Sequence, residues 1–570
     1  MRRSFFAVLL LFVLSPLALA QKEPSRTAAK DGRVAARLPR AALSAMESIS
    51  AERMRAHVKF LADDLLEGRG TGARGGDLAA LYIATQFELD GLQPAGDHGT
   101  WFQKVPLVGI TTQPESTFTL LPDQGPPMPL KLGDDYVTTD ERQEAVGDID
   151  APIVFVGYGI RAPEYKWNDF KDADLKGKVL LMLVSEPPSD DPAFFKGKAL
   201  TYYGRWTYKY EEAARRGALG VILIHKTEMA SYGWEVVRNS WSGEKSYLRG
   251  GDEPHLRAAG WVQLAVARRL LAASGLDLDQ LLQQANSRDF QPIPLRARLA
   301  AHLVSRIRTF ESSNVVGLLP GSDPARKDQA LMYTAHYDHL GIGPAVDGDR
   351  IYNGADDNAT GCAILLELAR AYASAAERPP RSILFASVTA EEQGLLGSQY
   401  LGQHPPLPAA RLALDLNFDD VQPLGEPEEV EVVGAERTTF YPVVEHTART
   451  FRLEIVPDSN PSAGYYYRSD HFSLARVGVP AFSLNEGDKF QGHPREWGDQ
   501  QHKQFTAKHY HQPSDEYRPE MDFTADAALA RFGFALGWKA ASLPGLIQWQ
   551  PGDEFEAARK ASQASAGGRP

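Results

Sequence analysis

The chain has 570 residues with 43% hydrophobic and 10% aromatic content, enough to bury a large core and to predict two or three domains. A formal charge of −12 leaves it without the basic footprint of a nucleic-acid binder, and that class is excluded. The one cysteine, Cys362, excludes an internal disulfide and reads as a small buried residue of a helical stretch.

Residues 1–20 read as a signal peptide: a basic start at Arg2 and Arg3, an apolar run from Phe5 to Val13, and the small-residue site Ala18-Leu19-Ala20 before Gln21. No later segment offers about eighteen uninterrupted apolar residues, so the expectation is an exported protein, periplasmic or secreted, with no stable membrane span. Residues 21–43 form a polar, basic, flexible lead-in, and order is expected from near Ser44. Met54, Val58, Leu61 and Leu65, then Leu78, Leu81, Tyr82, Phe87 and Leu89, fall at helical spacing. Between these helices Gly68-Arg69-Gly70-Thr71-Gly72 reads as a turn, since neither a preceding strand nor a Gly-Lys-Ser/Thr ending supports a phosphate loop. Residues 44–150 are assigned to the first part of a catalytic domain.

From 151 to 290 the pattern changes to short β-branched runs, Ile153 to Val156, Lys178 to Val184 and Gly220 to Ile224, with one helix around Thr207 to Arg216. This predicts a smaller β-rich inserted domain. Residues 291–550 alternate strands with helices: Ala330 to Ala335, Ala363 to Ala376, Ser382 to Val388, Leu412 to Phe418 and Tyr441 to Phe451. Such alternation predicts an α/β layer fold with a mostly parallel central sheet, whose ligands collect at the carboxyl ends of the strands. The tail 551–570 is Ala-, Ser- and Gly-rich and is expected to be disordered.

The chemistry lies at those strand ends. One strand runs into His336-Tyr337-Asp338, the next into Glu391-Glu392, the third into Asp419-Asp420. Any one of these acids is unremarkable in a loop; three successive strands delivering a histidine or an acid to one edge are not. Imidazole and carboxylate are zinc donors, and two zincs about 3.5–4 Å apart need a bridging carboxylate. The turn Gly354-Ala355-Asp356-Asp357 supplies a candidate bridge, and His509-Tyr510-His511 a last donor. Alternation along a strand sends adjacent residues to opposite sides, which predicts different tasks for Glu391 and Glu392.

In order and spacing, His336-x-Asp338, Gly354 to Gly361, Glu391 to Ser398, Asn417-Phe-Asp419 and Tyr510 to Asp515 resemble the M28 family of zinc peptidases, bacterial aminopeptidase type. The resemblance implies the three-layer zinc-peptidase fold, peptide or protein substrates, and a protease-associated insert over 151–290. It implies two zinc ions per chain: His336 and Asp419 on one, Glu392 and His511 on the other, with Asp357 bridging. Glu391 becomes the general base, which takes a proton from water and returns it to the leaving amine. The choice of Asp357 over Asp356 and of His511 over His509 rests on the resemblance alone. Asp338 is the expected orienting partner of the His336 imidazole. Tyr510 is either an oxyanion-stabilising group or a packing aromatic, and Arg468 either contacts substrate or pairs with an acid. Asp420 departs from the family pattern, adding a negative charge where many relatives carry an apolar or small residue.

Three rivals stand beside the aminopeptidase. A carboxypeptidase of the same scaffold needs a basic cluster for the substrate carboxylate, and the sequence offers only Arg468. A glutaminyl cyclase, an acyltransferase on a similar fold, uses one zinc. A non-catalytic receptor-like relative would have lost ligands, whereas every expected one is present. Side-chain specificity, the insert's role and the oligomeric state are not legible.

Overall fold

The structure is a computed structural model that describes residues 38–250, 254–458 and 461–567. The signal peptide read at 1–20 and most of the lead-in lie outside the described residues. Order begins earlier than Ser44: a helix spans Arg40–Glu47 and buries Ala42 and Ala45. The next helix, Ala51–Leu61, is capped by Ser50, whose side chain accepts from the Arg53 N–H.

Two sheets are joined by one long strand, Ile293–Leu319, of 27 residues. In the catalytic sheet, Ala481–Ser483, Leu412–Asn417, Ala330–His336 and Ser382–Val388 lie side by side and parallel. The second half of the long strand adds antiparallel to Ser382–Val388, and Phe102–Thr112 then adds antiparallel to it. Burial on both faces makes these strands near-continuous apolar runs. Alternation still sorts their side chains: Leu331, Tyr333 and Ala335 pack into one core, Ala330 and Met332 into another. The first core holds the helices Thr360–Ser374, Thr524–Ser542 and Arg74–Leu89, and the opposite face holds residues of Leu396–Gln403 and His471–Arg476. The result is three layers, with the sheet's carboxyl edge open to the site. Among the described residues no helix is long and apolar enough to cross a membrane.

The first turn of Arg74–Leu89 is seated directly on the Asp64–Arg69 segment. A Cβ built on Gly75 lies 1.6 Å from the Leu66 carbonyl oxygen. Alanine is the better helix former, but here it displaces the backbone that carries Arg69. Gly75→Ala is expected to destabilise by about 1–3 kcal/mol, read as a lower urea midpoint at constant m-value.

In the second sheet Val146–Phe155, Val179–Leu183, Gly220–His225 and Ala258–Gln263 are parallel neighbours, closed by antiparallel Tyr136–Thr139. The first half of the long strand pairs with Val146–Phe155 and Thr117–Pro122. The boundaries expected at 151 and 290 therefore shift outward, because strands on either side of them belong to this sheet. Strict alternation at 146–155 exposes every second residue of the early part, so only its apolar end stood out in the sequence. The tail also needs correction. A helix runs Glu556–Gly567, anchored by buried Phe555 and by Arg559, which donates to the Ala409 and Ile547 carbonyls at 2.9 and 3.2 Å. Its composition predicts disorder; these two anchors and tertiary burial override it.

Candidate metal centre

His336 is the last residue of its strand, whereas the neighbouring strands end at Val388 and Asn417, short of Glu391 and Asp419. Strand alternation therefore does not separate Glu391 from Glu392. A left-handed residue, Ala390 at φ 56°, turns the chain just before the pair, and Asp420 at φ 58° turns it just after Asp419.

Four predicted residues gather around a fifth, Asp357. His336 Nε2 lies 3.3 Å from Asp357 Oδ1 and 3.0 Å from Asp419 Oδ1. His511 Nε2 lies 3.3 Å from Asp357 Oδ2 and 3.2 Å from Glu392 Oε2. Each oxygen of one carboxylate thus faces a different histidine, and each of those histidines faces a second acid. Both rings are fixed from behind: His336 Nδ1 is 3.1 Å from the Asp338 carbonyl oxygen, and His511 Nδ1 is 3.2 Å from Ser240 Oγ of the inserted sheet unit. Tethering Nδ1 leaves Nε2 directed at the carboxylates, the arrangement that metal-binding histidines use. Asp338 meets the His336 ring through its main chain. Its carboxylate accepts instead from the Glu391 N–H at 3.1 Å and from Thr71 Oγ1 at 2.9 Å.

The near-adjacent rivals are placed elsewhere. Asp515 accepts from the backbone N–H groups of Asp356 and Asp357 at 2.9 and 3.1 Å, which sets the turn so that Asp357 meets the histidines. His509 is 2.9 Å from Ser514 Oγ on the surface.

Three contributors went unread in the sequence. His339, buried, brings Nδ1 to 2.7 Å from Glu392 Oε1 and 3.8 Å from Asp357 Oδ2. The repeat of histidine three residues after His336 was the available signal. Arg69 is completely buried in the glycine-rich turn and donates to four carbonyls: Leu61, Tyr337 and Asn353 at 2.6 Å and Gly354 at 2.7 Å. It ties together the segments that follow His336 and precede Asp357. Ser240 lies 271 residues from its partner His511, beyond any local pattern.

These donors fit divalent zinc. His336, Asp357 and Asp419 form one group of mutually close ligand atoms, and His339, Asp357 and Glu392 another. Glu392 Oε1 and both His339 nitrogens are buried without hydrogen-bond geometry to any partner. The protein itself leaves the charges in conflict. Burial pushes Glu391 well above the carboxylate range, with Asp419 and Glu392 adding to the shift against His336. Burial also acts to raise Asp357, but His339, His336 and His511 hold it well below that range. Burial would lower His511, yet Glu392 and then Asp357 raise it to about 10. Divalent cations between the rings and the carboxylates would neutralise this concentration of buried acid.

Tyr510 stacks on His511, ring centroids 4.0 Å apart. Arg468 has no acid partner among the described residues: it donates to Ser231 Oγ at 3.3 Å and lies over the Tyr232 and Tyr465 rings. Asp420 lines the cleft beside Asp419, and its carboxyl is pushed up by burial, Asp357 and Asp419.

The leupeptin-inactivating enzyme 1 of Streptomyces exfoliatus is 28% identical over 267 residues, covering 45% of this chain and 55% of the relative. A probable zinc metalloprotease of Pyricularia oryzae is 39% identical over 92 residues, 16% of this chain and 17% of that protein. The chain thus spans about half the length, or less, of these curated relatives. Among solved structures, the aminopeptidase from Aneurinibacillus sp. strain AM-1 superposes with a TM-score of 0.51 at 19% identity, over 89% of this chain and 98% of that one, a likeness of fold. Residues 314–532, the segment that carries both histidine–carboxylate groups, match the model of Peptidase family M28.

Proposed function

We propose that the protein is an exported di-zinc aminopeptidase that removes N-terminal residues from peptides. The observation that carries this reading is the Asp357 carboxylate, whose two oxygens face different histidines, each of which faces a further acid. His336 and Asp419 would hold one zinc, Glu392 and His511 the other, with Asp357 between them and His339 beside Glu392. Bound zinc supplies Lewis acidity that polarises the scissile carbonyl and acidifies water.

The chain's own residues do the rest. Glu391 accepts the proton of the attacking water and passes it to the departing amine, and a carboxyl pushed upward by burial suits both steps. Asp338 fixes Glu391 through its backbone N–H and fixes the His336 ring through its own carbonyl. Acids lining the cleft, Asp420 and Glu486 among them, favour a substrate with a free ammonium group. The match to a peptidase family and the likeness to a probable zinc metalloprotease and to an aminopeptidase support this reading. Export rests on the signal pattern of residues 1–20. The second sheet we read as a protease-associated module, and its Ser240, Tyr232 and Lys245 reach the cleft, which makes it part of the site.

The test pairs free-amine and N-acetylated peptides with and without a chelator. Trimming of the free-amine peptide from its N-terminus, lost with the metal and restored by zinc, is expected. Cleavage of the N-acetylated peptide at equal rate would sink the aminopeptidase reading. Pyroglutamate formation by a chain holding one zinc would favour the cyclase.

A further inference from the structure

Two cavities meet at the centre and differ in charge. Both are lined by Glu391, His511, Tyr510, Arg468 and Tyr232, so they are two arms of one cleft. One arm, about 170 Å³, runs past His336 and Asp419 to Asp420 and Glu486. The other, about 160 Å³, passes Glu392 and enters the seam with the inserted unit, where its cations are Arg205, Lys245 and Arg476. A peptide whose scissile bond lies at Glu391 places its amino end in the acidic arm and its leaving portion in the basic one.

The basic arm is also lined by Glu211, Glu391 and Glu392, but only one of its four cations is ion-paired among the described residues. Arg476 is engaged with Glu211 at 3.7 Å. Arg205, Lys245 and Arg468 have no carboxylate within ion-pair distance among the described residues. Arg205 Nε is buried without a hydrogen-bond partner. Lys245 is 5% exposed, its ammonium 5.5 Å from the Trp241 ring centre. Buried cations are costly unless paired, and here the repulsion is visible: burial and then Arg468 draw Arg205 down to about 10. Arg205 also immediately precedes the helix Trp206–Arg215, which has no side-chain cap, and Trp206 and Thr207 at its start line the same arm. Uncapped N–H groups, a planar guanidinium and a buried ammonium converge on a small space, a combination complementary to a carboxylate.

We propose that this arm binds the free α-carboxylate of the leaving portion, so that the preferred substrates are dipeptides and other very short peptides with an unblocked C-terminus. The inference rests on the aminopeptidase reading of the centre. The cations come from both the catalytic domain and the inserted unit, and Arg205 and Lys245 gain a binding role that the sequence did not suggest.

The experiment compares kcat/KM of the zinc-loaded full chain on Leu-Ala, Leu-Ala-NH2 and Leu-Asp-NH2. Leu-Ala is expected to exceed Leu-Ala-NH2 by roughly 10- to 100-fold, mainly through KM, the scale of one charged hydrogen-bonded contact. Arg205→Met should remove most of that preference with an unchanged melting temperature, and Lys245→Met should reduce it. Equal rates on Leu-Ala and Leu-Ala-NH2 would overturn the proposal. So would a preference for Leu-Asp-NH2 over Leu-Ala, which would assign the arm to an acidic side chain. If no substrate is hydrolysed, the aminopeptidase reading fails, and the arm is tested by binding. Trp206, Trp241 and Trp261 line it, so tryptophan fluorescence reports N-acetylalanine against N-acetylalaninamide. Tighter binding of the carboxylate, lost in Arg205→Met, supports the site; equal binding refutes it.

Discussion

Glu391→Gln is expected to retain zinc and the wild-type unfolding transition while kcat on free-amine peptides falls about 10²–10⁴-fold, the range for removing a positioned general base. Glutamine keeps the size of the side chain and loses its proton-accepting oxygen. Neither group of close ligand atoms includes Glu391, so metal content should not change. The Asp338 contact is made to the Glu391 backbone N–H and survives the substitution. Zinc analysis alongside steady-state kinetics checks both halves. Full activity in the variant would remove Glu391 from the mechanism, and loss of zinc would make it a ligand.

The second large effect is structural. Arg69→Met is expected to cost about 3–5 kcal/mol, because four buried carbonyls lose a charged donor together and no water reaches them. Lysine is no substitute, since an ammonium has three donors and lacks the planar spread that reaches Leu61, Tyr337, Asn353 and Gly354. The damage should reach the centre, as Tyr337 follows His336 and Gly354 opens the turn to Asp357. A fall in zinc affinity together with a lower urea midpoint is the expected pair of results. A stable Arg69→Met protein with normal zinc affinity would show that the turn is held by other contacts.

What the sequence made legible is what depends on local pattern. Apolar runs followed by a histidine or an acid located the carboxyl edge of the sheet with Glu392 on it, and motif resemblance brought forward Asp357 and His511; His511 lies within 3.3 Å of a carboxylate oxygen of each of the other two. Contacts that cross the fold were not legible. Arg69 sits in a turn whose glycines drew the eye away from the arginine, and its partners lie up to 285 residues away. Arg205, Ser240 and Lys245 belong to a unit whose β-rich pattern announces a scaffold and says nothing of which loop meets the centre. The tail misled for a related reason: composition describes an isolated segment, whereas Arg559 is 1% exposed against the body of the protein.

The strand Ile293–Leu319 has a practical consequence for anyone dissecting the molecule. It enters one sheet and leaves through the other without an intervening linker, so the inserted unit is not attached by a pair of flexible stems that a deletion can trim. Excision of 151–290 would remove the second half of Val146–Phe155 together with the parallel strand beside it, and leave Ile293, Pro294, Arg298 and Leu299 of the long strand without their partners on that side. Exposed backbone of this kind templates pairing with another chain. A truncated protein is therefore expected to aggregate, and the unit's contribution is better probed by single side chains than by its removal.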